Sequence, residues 1–260
     1  MNKTVLVTGA CINTGVAIVE KFASEGWSVV FTGRDAEKVH AKEKEYRKKY
    51  PDVEIIGYHI DSLIDEKTVN EKAVDDLFSD LDAKGIFIET MVLNAADQGL
   101  GITVFENPLT DFMRVINTNL TWNYCLSEYA AKRMKEQGGG NIIFINSNTA
   151  YRAIPDRIAY SASKGGQLGM MRAMALDLGK YNIRVNAVLP GMIKTDRWEK
   201  NPEFYTNVPS RYTPIGDVAV GSDVADAAWY FAAHARNTTG AELVVDGGNT
   251  IQLYPIINKD

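Results

Sequence analysis

Tyr160 and Lys164 are the two residues of this chain whose types and spacing point most directly to chemistry. They lie four positions apart in a stretch with a helical pattern, and residues at this spacing project from one face of a helix. A phenol has an ordinary pKa of about 10, so it is a poor acid or base near neutrality. A neighbouring ammonium favours the phenolate, and lowering the pKa of Tyr160 to about 7 corresponds to roughly 4 kcal/mol. Such a pair suits proton exchange with an alcohol or carbonyl oxygen.

The same spacing also occurs on amphipathic helices that only face solvent, so the elements that position the pair must decide its meaning. Short apolar or β-branched runs alternate with longer helical patterns along the chain. Strands are predicted near Thr4–Thr8, Ser28–Thr32, Glu54–His59, Thr90–Asn94, Asn141–Asn146, Ile183–Leu189 and Glu242–Asp246. Helices are predicted near Gly15–Glu25, Ala36–Tyr50, Asp65–Leu81, Leu109–Gln137, Ala159–Tyr181 and Val224–Ala233. This alternation predicts an α/β fold, with residues 1–260 in a single doubly wound, Rossmann-like domain and a seven-stranded, mostly parallel sheet.

A glycine-containing loop follows the first predicted strand and opens the first helix. Gly9 and Gly15 flank Asn13 in this loop. Glycines at such a turn allow a pyrophosphate to approach closely, and the helix N-terminal N–H groups then meet its charge. An ordinary strand-to-helix turn is the alternative. The position after the first strand of an α/β pattern favours a dinucleotide site, because ligands of such sheets bind at the carboxyl ends of the strands.

The end of the second strand bears on which dinucleotide is bound. Gly33, Arg34 and Asp35 follow one another there. An acidic residue in this region bonds the ribose of NAD, whereas an arginine pairs with the 2′-phosphate of NADP. We interpret Asp35 as the N-cap of the helix that follows. The sequence therefore predicts NADP(H) as the cofactor in preference to NAD(H).

Ser147 and Asn119 complete a pattern that resembles a known family. Ser147 ends a strand-like run thirteen residues before Tyr160, and Asn119 lies in a helical stretch. The loop resembles the motif Thr-Gly-x-x-x-Gly-x-Gly, with Asn13 at the middle glycine. Asparagine tolerates left-handed backbone angles, so the turn can still form. These features, in order from about residue 4 to 248, resemble the short-chain dehydrogenases/reductases of the Tyr-x-x-x-Lys branch.

The resemblance implies a role for each matching residue. Tyr160 would be the acid/base, Lys164 would lower its pKa and bond the nicotinamide ribose, and Ser147 would hold the substrate oxygen. Asn119 would support a water relay from Lys164 to solvent. The cofactor-binding residues that it implies are Gly9, Asn13, Gly15, Arg34, Asp61, Asn94, Ala95, Tyr160, Lys164, Pro190, Gly191 and Thr195.

The segment of about residues 191–216 has no firm regular pattern and corresponds to the family's lid over the substrate. Its aromatic and cationic side chains suit a ring-shaped or anionic substrate, although ordinary packing aromatics explain them equally well. The candidate substrate residues are Tyr151, Arg152, Trp198 and Tyr205. A sugar, a polyol, a steroid and an acidic keto-compound all remain open.

Composition excludes several other classes of function. The formal net charge is −5, which argues against binding to nucleic acid or to an anionic membrane. The start of the chain lacks the pattern of a signal peptide, and no apolar run has membrane-spanning length. Two cysteines and three scattered histidines form neither a disulfide framework nor a metal motif. We expect a cytoplasmic, metal-free protein with a small-molecule substrate, and the resemblance implies a homotetramer or homodimer.

Three functions follow from this sequence. The first is hydride transfer between NADP(H) and a secondary alcohol or ketone. The second is reduction of a 3-oxoacyl or enoyl thioester. Asn13 resembles the looser glycine loop of enoyl reductases. The spacing of Ser147, Tyr160 and Lys164 argues against enoyl reduction. The third is an NADP(H)-binding sensor without turnover.

Overall fold

A single parallel sheet forms the centre of the protein. The computed structural model describes residues 3–200, 202 and 211–254. Within these residues seven strands lie in the order β3-β2-β1-β4-β5-β6-β7, and every neighbouring pair is parallel. The strands are β1 Thr4–Val7, β2 Ser28–Gly33, β3 Ile55–His59, β4 Thr90–Leu93, β5 Gly140–Ile145, β6 Ile183–Pro190 and β7 Glu242–Val245. The predicted doubly wound, Rossmann-like α/β fold is confirmed.

Helices cover both faces of the sheet. They are α1 Asn13–Ser24, α2 Ala36–Lys49, α3 Glu71–Ala83, α4 Leu109–Ile116, α5 Trp122–Glu136, α6 Ile158–Leu178, α7 Asp196–Lys200 and α8 Gly221–Trp229. One apolar core includes Ile18 of α1 and Val224 of α8. The other includes Leu77 of α3 and Leu168 of α6. Strands buried on both faces explain why β1, β4 and most of β5 are apolar, since both of their surfaces leave water.

The third helix begins later than its pattern predicts. The expected range was Asp65–Leu81, whereas α3 begins at Glu71. The Asp65 carboxylate accepts hydrogen bonds from the backbone N–H groups two and three residues later, at 2.7 and 2.8 Å. Such local bonds compete with helix formation. The Asn70 side chain then caps α3.

A π-helical segment, Asn117–Thr121, interrupts the long helix predicted at Leu109–Gln137. It separates α4 from α5 and carries Asn119 at its centre, fully buried. A π-turn widens the helix and is frequent at functional sites. Here it turns the Asn119 side chain toward the loop after β4, with which it makes hydrogen bonds.

Candidate active site

The sheet topology brings the predicted site residues to one edge. In the sheet, β1 lies between β2 on one side and β4 on the other, so the strand order reverses at β1. The carboxyl ends of these central strands form the crevice where ligands bind in open α/β sheets. The glycine loop after β1, Asn94 after β4, Ser147 after β5 and Gly191 after β6 all lie at that edge.

Ser147 and Tyr160 meet at this edge. Ser147 follows β5, and Tyr160 lies in the first turn of α6. The Ser147 side chain is hydrogen-bonded to the phenol, and its hydroxyl also accepts a bond from the Thr149 N–H at 3.2 Å. The two residues that the sequence places thirteen positions apart are therefore in contact, with the serine held in place by its own turn.

The pKa of Tyr160 differs from the prediction. Burial raises it above the ordinary value, while the hydrogen bond from Ser147 and the positive charge of Arg157 oppose this shift to a smaller extent. The spacing predicted a phenol whose pKa is lowered by Lys164. The protein groups alone produce the opposite direction, because desolvation of the phenolate outweighs its favourable contacts.

Lys164 is buried, with 1% of its surface exposed. Its Nζ donates to the Ile145 carbonyl at 2.9 Å and to Gln167 Oε1 at 3.3 Å, and lies 5.6 Å from the centroid of the Tyr160 ring. Burial lowers the pKa of Lys164 to about 7, because the ammonium loses its hydration. The amine is therefore close to half-protonated at neutral pH, which weakens its electrostatic effect on the phenol.

The Asn119 side chain links the π-helical segment to two neighbouring elements. Its Oδ1 accepts a hydrogen bond from the Asp97 N–H at 2.7 Å, and its Nδ2 donates to the Asp97 carbonyl at 2.8 Å. The same Nδ2 donates to Ser163 Oγ at 3.0 Å. Asn119 thus fixes α6 against the loop after β4, on the helix that carries the tyrosine.

The backbone carbonyl of Asn119 is engaged as well. It accepts hydrogen bonds from Gln167 Nε2 at 2.5 Å and from Asn123 Nδ2 at 2.8 Å. The Gln167 side chain therefore lies between Asn119 and Lys164. The water relay expected from Asn119 stays a prediction, and the protein itself supplies a direct side-chain connection between the two residues.

The glycine loop has the shape that close approach to a phosphate requires. A Cβ on Gly9 would lie 2.9 Å from the Ala95 Cα, and one on Gly15 would overlap the Gly9 carbonyl. Asn13 adopts a positive φ of 48°, as expected for the residue that replaces the middle glycine. It also begins α1, two residues before the predicted start.

Hydrogen bonds from neighbouring elements hold this loop. Thr8 Oγ1 accepts the N–H groups of Asn94 and Ala95 at 2.9 and 3.0 Å. The Asn94 side chain donates to the carbonyls of Thr8 and Gly9 at 3.0 and 3.1 Å. From α2, the buried Tyr46 hydroxyl donates to the loop carbonyl of residue 10 at 2.9 Å. Asn94 and Ala95 thus shape the loop as well as lying beside it.

The end of β2 leaves an arginine exposed. The Asp35 carboxylate accepts the Lys38 N–H at 3.1 Å and pairs with the Lys38 ammonium at 3.2 Å, which confirms Asp35 as the N-cap of α2. The Arg34 guanidinium is exposed and forms no hydrogen bond or ion pair with the residues described. The Cys11 sulfur covers Gly33, since a Cβ there would lie 2.6 Å from it.

The remaining cofactor candidates lie after β3 and β6. Asp61 is exposed, and its carboxylate is 3.7 Å from His59 Nε2. Gly191 follows Pro190, donates its N–H to β7, and packs so tightly that a Cβ would lie 2.6 Å from the Asp246 Cβ. Thr195 lines a cavity of about 310 Å³ together with the glycine loop and the start of α8. That cavity is also bordered by Asn13, Thr14, Lys194 and Gly221.

The predicted substrate residues do not all face one pocket. The Tyr151 hydroxyl bonds the Glu242 carboxylate on β7, so this side chain is held at the sheet edge, contrary to the expectation that it faces the substrate. Arg152 is exposed, and Trp198 lies partly buried on α7. Tyr205 lies outside the described residues. The expected lid contains the short helix α7, which the pattern did not indicate.

These residues fit a dinucleotide: the loop has close-packed glycines, a left-handed Asn13 and a nearby exposed guanidinium, and Lys164 lies behind Tyr160. A family model described as enoyl-(acyl carrier protein) reductase matches residues 9–250. The chain belongs to the short-chain dehydrogenase/reductase family.

Relatives of this short-chain dehydrogenase/reductase cover nearly its whole length. It is 32% identical to the NADP-dependent (R)-specific alcohol dehydrogenase of Lentilactobacillus kefiri, over 96% of this chain and 97% of that one. It is 30% identical to the 3-oxoacyl-(acyl-carrier-protein) reductase of Aquifex aeolicus, over 95% and 96% of the two chains. The structure of ElxO with NADP bound is 28% identical, with a TM-score of 0.87, covering 97% of this chain and all of that one.

Two functional contacts of this dehydrogenase/reductase escaped the sequence analysis. Gln167 is a buried polar residue three positions beyond Lys164 on α6 and next to the buried Leu168, and a polar residue at a core position of a helix is the pattern that points to it. Cys11 lies within the glycine motif, but nothing in the sequence places it above Gly33. Among the described residues no cluster of three metal-ligating side chains occurs, and none of their helices is long and apolar enough to cross a membrane.

Proposed function

We propose that this enzyme transfers a hydride between NADP(H) and a secondary alcohol or ketone, with Tyr160 as the acid/base. The observation that carries the proposal is the contact between Ser147 and the Tyr160 phenol, with the Lys164 amine buried behind the ring. Each group is supported by the fold, since Ser147 follows the central strand β5 and both other residues lie on one helix.

The raised pKa of Tyr160 favours proton donation. A phenol whose pKa lies above its ordinary value is protonated at neutral pH, so it can donate to the oxygen of a ketone as charge develops there. The Ser147 hydroxyl is placed to hold the same oxygen. In the oxidative direction the phenolate is needed, so oxidation of an alcohol should rise with pH while ketone reduction persists at lower pH.

The same geometry supports the cofactor contacts that we propose. NADPH, when bound, supplies the hydride. The N-terminal N–H groups of α1 and the backbone of Gly9 and Gly15 would hold its pyrophosphate. The exposed Arg34 guanidinium would pair with its 2′-phosphate. Thr195 would bond the nicotinamide carboxamide, and Lys164 would bond the nicotinamide ribose. The NADP in the ElxO structure supports this preference.

A 3-oxoacyl thioester is the second candidate substrate. The relative from Aquifex aeolicus carries that activity in its name, and reduction of a 3-oxoacyl group uses the same proton donor. The name of the family model points instead to an enoyl thioester. Ser147 in contact with Tyr160 favours polarisation of a carbonyl over reduction of a carbon–carbon double bond. A sensor without turnover would leave this constellation unused.

A substrate panel followed by NADPH absorbance tests the proposal. It should include simple ketones, steroid and sugar ketones, 2-oxo acids, and 3-oxoacyl and enoyl thioesters. We expect turnover of at least one ketone, and Tyr160→Phe should lower kcat at least 100-fold while the circular dichroism spectrum is retained. Tyr181→Phe, in the turn that follows α6, is the matched control. Normal activity of Tyr160→Phe, or turnover of enoyl thioesters alone, would contradict the proposal.

We also propose that the protein assembles as a homotetramer. The outer face of α6 exposes Gly165 and Gly169, which permit close approach of a second helix. Light scattering in solution measures the assembly directly, and a mass of one 28.8 kDa chain would contradict it.

A further inference from the structure

Gln167 is a buried amide in the interior of the active site, with 1% of its surface exposed. Its Nε2 donates to the Asn119 carbonyl at 2.5 Å. Its Oε1 accepts from Lys164 Nζ at 3.3 Å and from Asn146 Nδ2 at 3.0 Å. Only one orientation of the amide satisfies these partners, since a carbonyl must face the NH₂ group and two donors must face the oxygen.

The partners of Gln167 belong to three different elements of the site. Asn119 lies in the π-helical segment, Lys164 lies on α6, and Asn146 follows β5, directly before Ser147. Asn146 itself donates to the Lys164 carbonyl at 3.0 Å and accepts the Ser147 N–H at 2.7 Å. One buried amide therefore connects the segment that carries the serine with the helix that carries the lysine.

We propose that Gln167 is the positioning residue for Lys164, holding its Nζ between the Ile145 carbonyl and the amide oxygen. Two of the three N–H groups of the ammonium are then directed into the protein. The third is left for an oxygen atom of a bound molecule. Without Gln167 the amine keeps a single protein acceptor and can rotate about its last bonds, so its alignment beside Tyr160 is lost.

The hydrogen bond between Lys164 and the neutral Gln167 matters because no charged group among the described residues stabilises the protonated amine. Burial is the cause of the lowered pKa of Lys164, with no carboxylate opposing it. On its own helix it faces Tyr160, and Arg157 acts on that same phenol. Across the π-helical segment, Asp97 is paired with Arg114 and reaches the site through its backbone contacts with Asn119. The Gln167 oxygen is therefore a nearby dipole that favours the protonated amine.

NMR titration of the Lys164 side chain tests the proposal without any substrate. In protein labelled with ¹³C-lysine, the Lys164 resonance is assigned by its loss in Lys164→Met. Gln167→Met removes the acceptor and should lower the titration midpoint by at least 0.5 pH unit. Gln167→Glu places a carboxylate there and should raise the midpoint by at least 1 pH unit. Midpoints within 0.2 unit of the wild type in both variants would overturn the proposal.

A measurement on the wild-type protein tests the proposal even if the Gln167 variants do not fold. The side-chain amide of Gln167, labelled with ¹⁵N-glutamine, should shift with the same midpoint as Lys164. An amide signal that does not move through that pH range would count against the link. Met171→Ala, one turn later on α6 and equally buried, controls for loss of packing. It should lower Tm while leaving the Lys164 midpoint unchanged.

The turnover measurements rest on the proposed function and are read separately. With an active ketone, Gln167→Met should lower kcat at least 10-fold and shift the pH profile of kcat in the direction of the NMR midpoint. Gln167→Glu should shift that profile in the opposite direction. A purely structural role would lower Tm in Gln167→Met without either shift and would overturn the proposal. If no substrate is turned over while the NMR midpoints move as expected, the proposed function fails and the role of Gln167 stands.

Discussion

The sulfur of Cys11 lies over Gly33, so the end of β2 has no room for a side chain. A Cβ at position 33 would be 2.6 Å from the sulfur and 2.8 Å from a methyl group of Val39. An acidic residue at this end of β2 would bond the ribose of NAD. Packing around Gly33 therefore opposes an acidic residue at this position, which agrees with the proposed preference for NADP(H).

Gly33→Asp alone should not change the cofactor preference of the enzyme to NADH. The new Cβ collides with Cys11, so we expect a lower Tm and weaker binding of both cofactors. In the double variant Cys11→Ala/Gly33→Asp the closer of the two clashes is gone and only the Val39 methyl has to shift, so the ratio of kcat/KM for NADH to that for NADPH should rise at least 10-fold over the wild type. Cofactor fluorescence titration and Tm measure the two effects. Cys11→Ala alone is the control, and equal ratios in the single and double variants would contradict the steric explanation.

Arg34→Leu should weaken NADPH binding selectively. Hydrogen bonds to charged groups contribute about 1.5–3 kcal/mol, which corresponds to a rise in the Kd of NADPH of roughly 10- to 150-fold. The Kd of NADH should change less than threefold, because NADH lacks the phosphate. Lys44→Leu, an exposed cation on α2, controls for the general loss of positive charge. Equal losses for the two cofactors would remove Arg34 from the phosphate site.

The buried Lys164 should make stability depend on pH in the neutral-to-alkaline range. The pKa of Lys164 is about 7 in the folded protein and 10.5 unfolded. Below pH 7 the amine is charged in both states and the full cost of its burial is present. Between pH 7 and 10.5 it is neutral only when folded, so unfolding takes up a proton and stability rises with pH. The rise is at most about 1.4 kcal/mol per pH unit, or about 5 kcal/mol in total.

Urea unfolding of the wild type and Lys164→Met across pH 6–10 measures this effect. Because the methionine does not titrate, the free energy of unfolding of the variant minus that of the wild type should be largest near pH 6. It should shrink steadily toward pH 10. Lys44→Met, whose side chain is exposed, should show a flat difference. A flat profile for Lys164→Met as well would mean that the amine is not desolvated in the folded protein.

The order of strands and helices could be predicted because apolar periodicity and local turns decide them. Both ends of each of the seven strands lie within one residue of their expected positions, and Asp35 caps α2 as its position predicts. The errors occur where a polar side-chain contact, which the apolar pattern does not show, decides the outcome. Asp65 ties up the backbone before α3, and the bonds between Asn119 and Asp97 accompany the π-segment inside one apparent helix.

For the candidate site, the sequence likewise indicates which residues are present but not their pKa values. Ser147, Tyr160 and Lys164 are recognisable by spacing alone, since strand ends and helix turns convert intervals in sequence into neighbours in space. Their pKa values are not, because the direction of each shift depends on burial. Burial raises the pKa of Tyr160 and lowers the pKa of Lys164. The spacing alone predicted a lowered pKa for Tyr160.

The sequence by itself determined the family and the doubly wound sheet, and it pointed to Ser147, Tyr160 and Lys164 as the residues that we propose handle the proton. The tertiary structure decided what surrounds them: Gln167 beside Lys164 and Cys11 above Gly33. Local periodicity and motif spacing can be read directly from the amino-acid sequence. Desolvation and steric exclusion cannot, because both depend on side chains that only folding brings within a few ångströms of each other.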